Sequence, residues 1–415
     1  MVAVPTSIFP VSEQFLNVAR EQTPGTPVVG TTTTPVTSFQ PEDKPVWLPD
    51  EAYRASMAKE FDLLQGPIWT ETQFGGPAYG DTIGNLLFNI MGDLVSTGTT
   101  TTPTTTSTAI ASAGATTISV TAGSSFTNGM FIQVDTSTNA EIVQVASATS
   151  TVITLQSTTP LRFGHASGVT VTNTSGPYSS TFGLLNGGNG QPPSHTFIQR
   201  TQIPGAGGHQ AAQYAYGCLS KLTLTGNASG LFTYSATMSS YFYTNPASTP
   251  TVSVSSVRAQ PNWRSLVGIG GPASGGTLVS NVQEWEIEIS RVVEPIATAD
   301  GQQNPFVIAR GVLDATAKLN FQPTLDATPL TNMLSNTQPA MQISFSNGLS
   351  GTSNVTYTFN AALCAFDTSK LTENMALFGY DNTAKLIANT TNGNPANSGG
   401  YSPLSIVLQN NNPYY

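Results

Sequence analysis

Three stretches of this chain alternate between apolar and polar residues. In VQEWEIEIS (282–290), Trp285, Ile287 and Ile289 interleave with Glu284, Glu286 and Glu288. The same period of two runs through CLSKLTLTG (218–226) and GLFTYSATMSSYF (230–242), on either side of the turn NAS. Such alternation fits a strand with one face in a core and the other in water. Consecutive strands of this kind, joined by tight turns, make an antiparallel sheet.

Other runs extend the pattern. FVIARGVLDATAKLNF (306–321), AMQISFSN (340–347), NVTYTFNAALCAF (354–366) and LSIVLQN (404–410) read as further strands. Long Thr/Ser/Gly/Val runs favour strands and turns over helices. The expected class is mostly β (α+β): an antiparallel β-sandwich or barrel with one or two flanking helices. Short helices are expected over 12–21, capped by Ser12 with Phe15, Leu16 and Ala19 on one face, and over 80–94, capped by Asp81. A third is expected within 325–336. The prolines of 23–51 point to an extended arm or long loop rather than a central strand.

STGTTTTPTTTSTA (96–109) is of low complexity and reads as a linker. After it, TTISV, MFIQV, AEIVQVA, TVITL and GVTVT recur at intervals of roughly ten residues between 116 and 172, the spacing of a small sandwich or barrel. The chain therefore divides into a first half of a main domain (1–103), an inserted all-β domain (104–175, with its strands within 108–174) and a second half (176–415).

Charge is scarce: 9% of the 415 residues are charged, and the formal net charge is −9. Residues 1–99 hold 11 acids and 4 bases, so most of that charge, −7, lies in the first quarter. The basic residues are scattered singly, which argues against ordinary nucleic-acid binding. Cys218 and Cys364 lie far apart and are expected to be free buried thiols. The N-terminus has no basic region followed by an apolar run, so no export signal is read there. IGNLLFNIMGDLV (83–95) is too short and too polar to span a bilayer. The expectation is a protein made in the cytoplasm, with no membrane partner.

Chemical motifs are sparse. His165, His195 and His209 have no ligand spacing between them, so no metal or cofactor is expected. His165 and His195 read as turn or packing residues. No GxSxG elbow occurs. GIGGPA (268–273) contains Pro272 and precedes no helix, so it reads as a glycine turn rather than a phosphate cradle. The sequons matter only in a secretory pathway.

The best candidate surface is the row Glu284, Glu286 and Glu288. Same-face neighbours on a strand lie about 6.6 Å apart. At water-like dielectric each pair repels by about 0.6 kcal/mol, tolerable on a wet face. Paired-carboxylate glycoside hydrolysis needs acids flanking a cleft, which a linear row does not supply. Two readings stay open: a solvated face that discourages aggregation, or a shared acidic surface with a task.

Several segments together resemble the tail tube proteins of long-tailed bacteriophages, those of actinobacterial phages above all. FLNVAREQTPGTPV, then PVTSFQPEDKPVWLPDEAYRAS, resembles the family's N-terminal pattern, with Arg54-Ala55-Ser56 where the family often has Arg-Gly-Ser. GGPAYGDTIGNLLFNIMG resembles its Tyr-x-Asp helix entry. SHTFIQR with QYAYGCLSKLTLTGNASGLFTYSATMSS resembles its central hairpin, and EWEIEISRVVEPIATADGQQNPFVIARGVLDATAKLNF the strands that follow. The likeness covers roughly 1–99 and 176–415; the insertion resembles small β modules of phage structural proteins.

The resemblance implies homohexameric rings stacked into a hollow tube in the virion tail, with no enzyme activity. Tail terminator, tape-measure and baseplate proteins would be partners, the insertion would lie on the tube exterior, and DNA would pass through the lumen without specific binding. Glu284, Glu286 and Glu288 would then line that lumen. An alternative is an adhesin-like β protein binding cell-surface glycans, for which the insertion offers only Phe126, Phe131 and Phe163 as aromatics. A glycan-degrading enzyme using Glu284 or Glu288 is a third reading.

Overall fold

The structure is a computed structural model and describes residues 14–30, 32–200, 211–248, 250, 253, 255, 257–322, 328–374, 377–390 and 393–415. Strands account for 53% and helices for 7%, so the chain is a mostly β protein with two antiparallel sheets and few helices.

In chain order the elements begin with β1 (Phe15–Arg20), β2 (Thr33–Thr34), β3 (Ser38–Asp50), β4 (Asp62–Pro77), α1 (Ile83–Met91) and β5 (Gly92–Thr106). The insertion adds β6 (Thr117–Ser119), β7 (Phe131–Val134), β8 (Glu141–Ala148) and β9 (Val152–Leu155). Then follow β10 (Thr170–Leu184), β11 (His195–Arg200), β12 (Ala211–Asn227), β13 (Phe232–Tyr241), β14 (Leu266–Ile269), β15 (Val282–Ile296) and β16 (Val307–Phe321). The chain closes with α2 (Thr328–Leu334), β17 (Met341–Ser346), β18 (Thr356–Ala361), β19 (Cys364–Asn374), β20 (Leu377–Leu386) and β21 (Ser405–Asn410).

The first sheet carries the alternating strands. Its main path is β3–β4–β13–β12–β15–β16–β20–β19. β12 is long enough to serve two neighbourhoods: its first half pairs with β11, which continues to β1 and β2, and its second half pairs with β13 and β15. The second sheet runs β14–β17–β18–β21–β10, and β10 also pairs with β5 and β7.

The main core fills the space between the sheets. Trp285, Ile287 and Ile289 point inward from β15, as their period requires, beside Leu222, Leu319 and Phe321. Opposite them, Phe345, Tyr357 and Phe359 come from β17 and β18. Phe232 sits at the centre, with ring centroids 4.9 Å from Phe345 and 5.1 Å from Tyr357. Each such pair contributes about 1 kcal/mol beyond simple burial.

α1 is buried along its whole length. Gly92 ends it in the left-handed region at φ 88°, and a Cβ there would lie 2.8 Å from the Pro192 side chain. Two buried arginines reach its last turn: Arg291 donates to the Ile90 carbonyl at 3.1 Å and Arg310 to the Asn89 carbonyl at 3.4 Å. Cations at a helix C-terminus satisfy its orphan carbonyls and suit its dipole.

Several expectations are corrected. Residues 15–20 form strand β1, not a helix. Phe15, Leu16, Asn17 and Val18 are all buried, and β11 and β2 pair with the strand on either side, so tertiary pairing overrides an ambiguous short apolar run. Ser12 lies outside the described residues. Asp81 is not the cap of α1: Thr82 holds that position without a side-chain bond, and Asp81 accepts from Ser255 Oγ at 2.9 Å.

The proline-rich stretch is only partly an arm. Its second half is β3, paired along its length with β4. Pro41, Pro45 and Pro49 are spaced by four along this edge strand, the place in a sheet where prolines are tolerated.

The supposed linker 96–109 is largely strand β5. It pairs with β10 from Gly92↔Leu184 to Thr106↔Thr170, with register shifts at Thr172/Asn173 and Ser175/Ser179. The insertion has a core of its own, including Ile118, Val120, Phe126, Ile132, Val143, Ile153 and Val171. It hangs from a two-stranded ribbon, and its strand β7 joins β10 directly.

Candidate functional site

On β15 the outward positions are Glu284, Glu286 and Glu288, each partly exposed, while Trp285, Ile287 and Ile289 are buried. The three glutamates share one face as their spacing predicts. Register then brings in residues the alternating segment does not itself reveal. β12 places Thr225 opposite Glu286 and Thr223 opposite Glu288. β16 places Lys318 opposite Glu286 and Thr316 opposite Glu288.

The row is therefore not bare. Lys318 Nζ lies 2.6 Å from Glu286 Oε1, Lys221 Nζ lies 2.8 Å from Glu288 Oε2, and Lys385 Nζ lies 2.6 Å from Asp314 Oδ2 on the same face. The hydrogen bond to Glu286 holds the Lys318 ammonium above its ordinary pKa, and Asp314 does the same for Lys385. Among the described residues Glu284 has no cation partner; its register neighbours are the amides Asn227 and Asn320. Exposed pairs of this kind contribute about 0–1 kcal/mol each. The lysines were open to sequence reasoning, since the alternation of SKLTLTG and DATAKLNF puts Lys221 and Lys318 on polar positions.

Chemically this is a broad polar sheet face of hydroxyls, carboxylates and ammonium groups. Two cavities lie elsewhere among the described residues. One, of about 210 Å³, is lined by Pro272, Met341 and Ala361 among others. A larger one, of about 480 Å³, lies where β1, the insertion and the C-terminal segment meet.

The histidines and cysteines fall into structural settings. His195 is buried, with Nδ1 2.9 Å from Asn89 Nδ2. Asn89 also donates to the Gly217 carbonyl and accepts from the Leu219 amide, both at 2.8 Å, tying α1 to β12. Burial, with the charges of Arg20 and Arg310, pushes His195 down to about 3, so its ring is neutral.

His165 lies between two acids, with Nδ1 3.1 Å from Asp135 Oδ2 and Nε2 2.8 Å from Glu141 Oε1. Because separate nitrogens face the two carboxylates, the three groups do not converge on a point. Among the described residues no group of three or more His, Cys, Asp or Glu could hold a metal ion. His209 lies outside the described residues. Cys218 and Cys364 are free and buried, and burial raises their thiols to about 11 and about 12.

Gly270 and Gly271 take positive φ before a single 3-10 turn, so GIGGPA is a glycine turn. Of the insertion's aromatics, Phe126 is buried in its core, Phe131 packs on Tyr414 and Phe163 stacks with Arg162. Among the described residues no helix is long and apolar enough to cross a membrane.

Neither the known protein families nor the curated proteins contain a match to this chain.

Proposed function

We propose that the chain is a structural subunit of a phage tail tube. Six copies form a ring, rings stack into a hollow tube in the virion tail, and genomic DNA passes through the bore. The reading rests on the family resemblance of 1–99 and 176–415. The observation that carries it is the path β3–β4–β13–β12–β15–β16–β20–β19, with one face in the core, the other hydrated, and, among the described residues, no further named strand on either outer edge. A sheet of this kind, repeated around a ring, gives a wall with a polar bore and covers its own edges.

The polar face suits a conduit. Counterion release gives each Lys–phosphate contact affinity, hence drag on moving DNA. Here Lys221, Lys318 and Lys385 are each held by an acid of the same face. Around β15, Glu284, Glu286, Glu288 and Asp314 stand against those three lysines, and further along the same face Asp381 of β20 stands opposite Lys370 of β19. The proposed lining is thus mixed in charge, and its three central lysines are each paired with an acid, while Glu284 has no cation partner among the described residues.

Self-assembly draws support from the far end of the β3–β4 hairpin. Trp47, Leu48, Leu63 and Leu64 are about half exposed, and Tyr53 and Met57 fully so. An apolar patch of this kind on a soluble chain marks a contact surface. The insertion lies outside the tube, and tail terminator, tape-measure and baseplate proteins complete the assembly.

Electron microscopy of the purified chain and of virions tests the reading. Rings or tubes of constant bore are expected. A chain that stays a monodisperse monomer under all conditions and is missing from virions sinks it.

A further inference from the structure

The cavity of about 480 Å³ between β1, the insertion and the C-terminal segment is of the size that takes small molecules. Its walls are of two kinds. Val28, Val29, Phe131 and Tyr414 give an apolar side, and Arg20 and Arg162, with Glu141 beside them, a charged one. The two guanidinium carbons lie 5.9 and 5.5 Å from the centroid of the same ring, Phe88, and the charge of Arg162 is felt at Arg20.

Those cations are under-used. A guanidinium carries five N–H donors. Among the described residues, Arg20 makes one side-chain hydrogen bond, to Gln22 Oε1 at 3.4 Å. Arg162 has Nε 3.6 Å from Glu141 Oε2. Glu141 is largely occupied already: it accepts the backbone amides of Arg162 at 2.8 Å and Phe163 at 3.1 Å, and faces His165 Nε2 at 2.8 Å. Asp93, the next acid, is engaged by the Ser398 amide at 2.6 Å and by Asn394. Burial and the charge of Arg162, opposed by Glu141, push Arg20 down to about 10, so holding Arg20 positive here is costly. An anion between them removes that cost.

We propose that this cavity binds a small ligand with an oxyanion head, carboxylate or phosphate, and an apolar or aromatic body. Arg20 and Arg162 take the head, and the Val28, Phe131 and Tyr414 walls take the body. The ligand touches both the body and the insertion and so fastens one to the other. The proposal stands independently of the tail-tube reading.

Calorimetric titration of the full chain at fixed ionic strength tests it, with benzoate, phenyl phosphate, inorganic phosphate and benzyl alcohol as probes. At least one aromatic anion is expected to bind saturably, at least tenfold more tightly than both inorganic phosphate and benzyl alcohol. The stronger of the two identifies the head. Arg20→Met is expected to weaken that binding at least tenfold, and Val28→Trp, which fills the cavity and leaves both arginines, to abolish it. No saturable binding of either aromatic anion overturns the proposal. So does inorganic phosphate binding equally well, or affinity unchanged in both variants.

Discussion

Glu286 and Lys318 are direct register partners across β15 and β16, and their charged atoms meet at 2.6 Å on the polar face of the sheet. One residue along, Trp285 is turned into the core and almost wholly buried. The same short segment thus holds its weakest and its strongest contributions to stability side by side.

Urea unfolding separates them. Glu286→Gln is expected to cost under about 1 kcal/mol, because both partners are partly exposed and screened. Glu284→Gln, with no cation partner, is expected to cost less still. Trp285→Ala is expected to cost about 3–5 kcal/mol, since it leaves a hole among Phe232, Phe345 and Phe359. Comparable losses at Glu286 and Trp285 would contradict this account of the sheet.

Acidity acts through His165. Both of its ring nitrogens face carboxylate oxygens, so both must donate, and the ring is held as a cation. Burial alone lowers its pKa, but the hydrogen bonds to Glu141 and Asp135 outweigh burial and the net shift is upward. The unfolded value is about 6.5. A raised pKa gives stability that is fully present below that value and lost as pH rises through the folded one. Urea midpoints are therefore expected to fall as pH rises from about 6 through the raised folded pKa. His165→Gln is expected to start lower at pH 6 and to flatten the slope; an equally steep slope in the variant would refute the clasp.

The two thiols report on the core. With both raised by burial, neither Cys218 nor Cys364 is expected to react with a disulfide reagent at pH 8 while the chain is folded. Both are expected to react in denaturant. Rapid titration of a thiol in the native protein would show that its strand is open to solvent.

Arg291 tests how the helix end is held. Its Nε donates to the Gly311 carbonyl and its Nη1 to the Ile90 carbonyl, both at 3.1 Å. Arg291→Met strands both acceptors and is expected to cost about 2–3 kcal/mol by urea unfolding. Arg291→Lys is expected to rescue little, since an ammonium lacks the planar fork that spans the two. Full rescue by lysine would show that charge alone matters there.

Much of the fold is legible in the sequence where period and burial agree. The alternation over 282–290 placed Trp285, Ile287 and Ile289 inward, and the turn NAS marked the β12–β13 hairpin. Legibility failed where long-range pairing decides. Phe15, Leu16 and Ala19 fit a helix stripe as well as a strand, and only β11, about 180 residues on, selects the strand. The threonine run of β5 carries no apolar alternation, because most of its own side chains stay exposed while its partner β10 supplies the buried residues. The proline spacing of four in β3 was a signal available and missed. In the glutamate row, direction was legible but charge balance was not, since Lys221 and Lys318 arrive from other strands. The paired arginines at the cavity come from β1 and the insertion, and no local pattern joins them.

The ribbon of β5 and β10 sets how load travels. The chain enters the insertion along one strand and returns along its antiparallel neighbour, so a pull on the insertion is shared by two backbones in tension. The ladder between them is not sheared by that pull, because both strands carry it in the same sense. Bending concentrates where the register slips, at Thr172/Asn173 and Ser175/Ser179. The insertion is mounted like a propped bracket: the ribbon takes extension, and the contacts of Phe131 with Tyr414 and of Arg162 with Phe88 brace it against sideways swing.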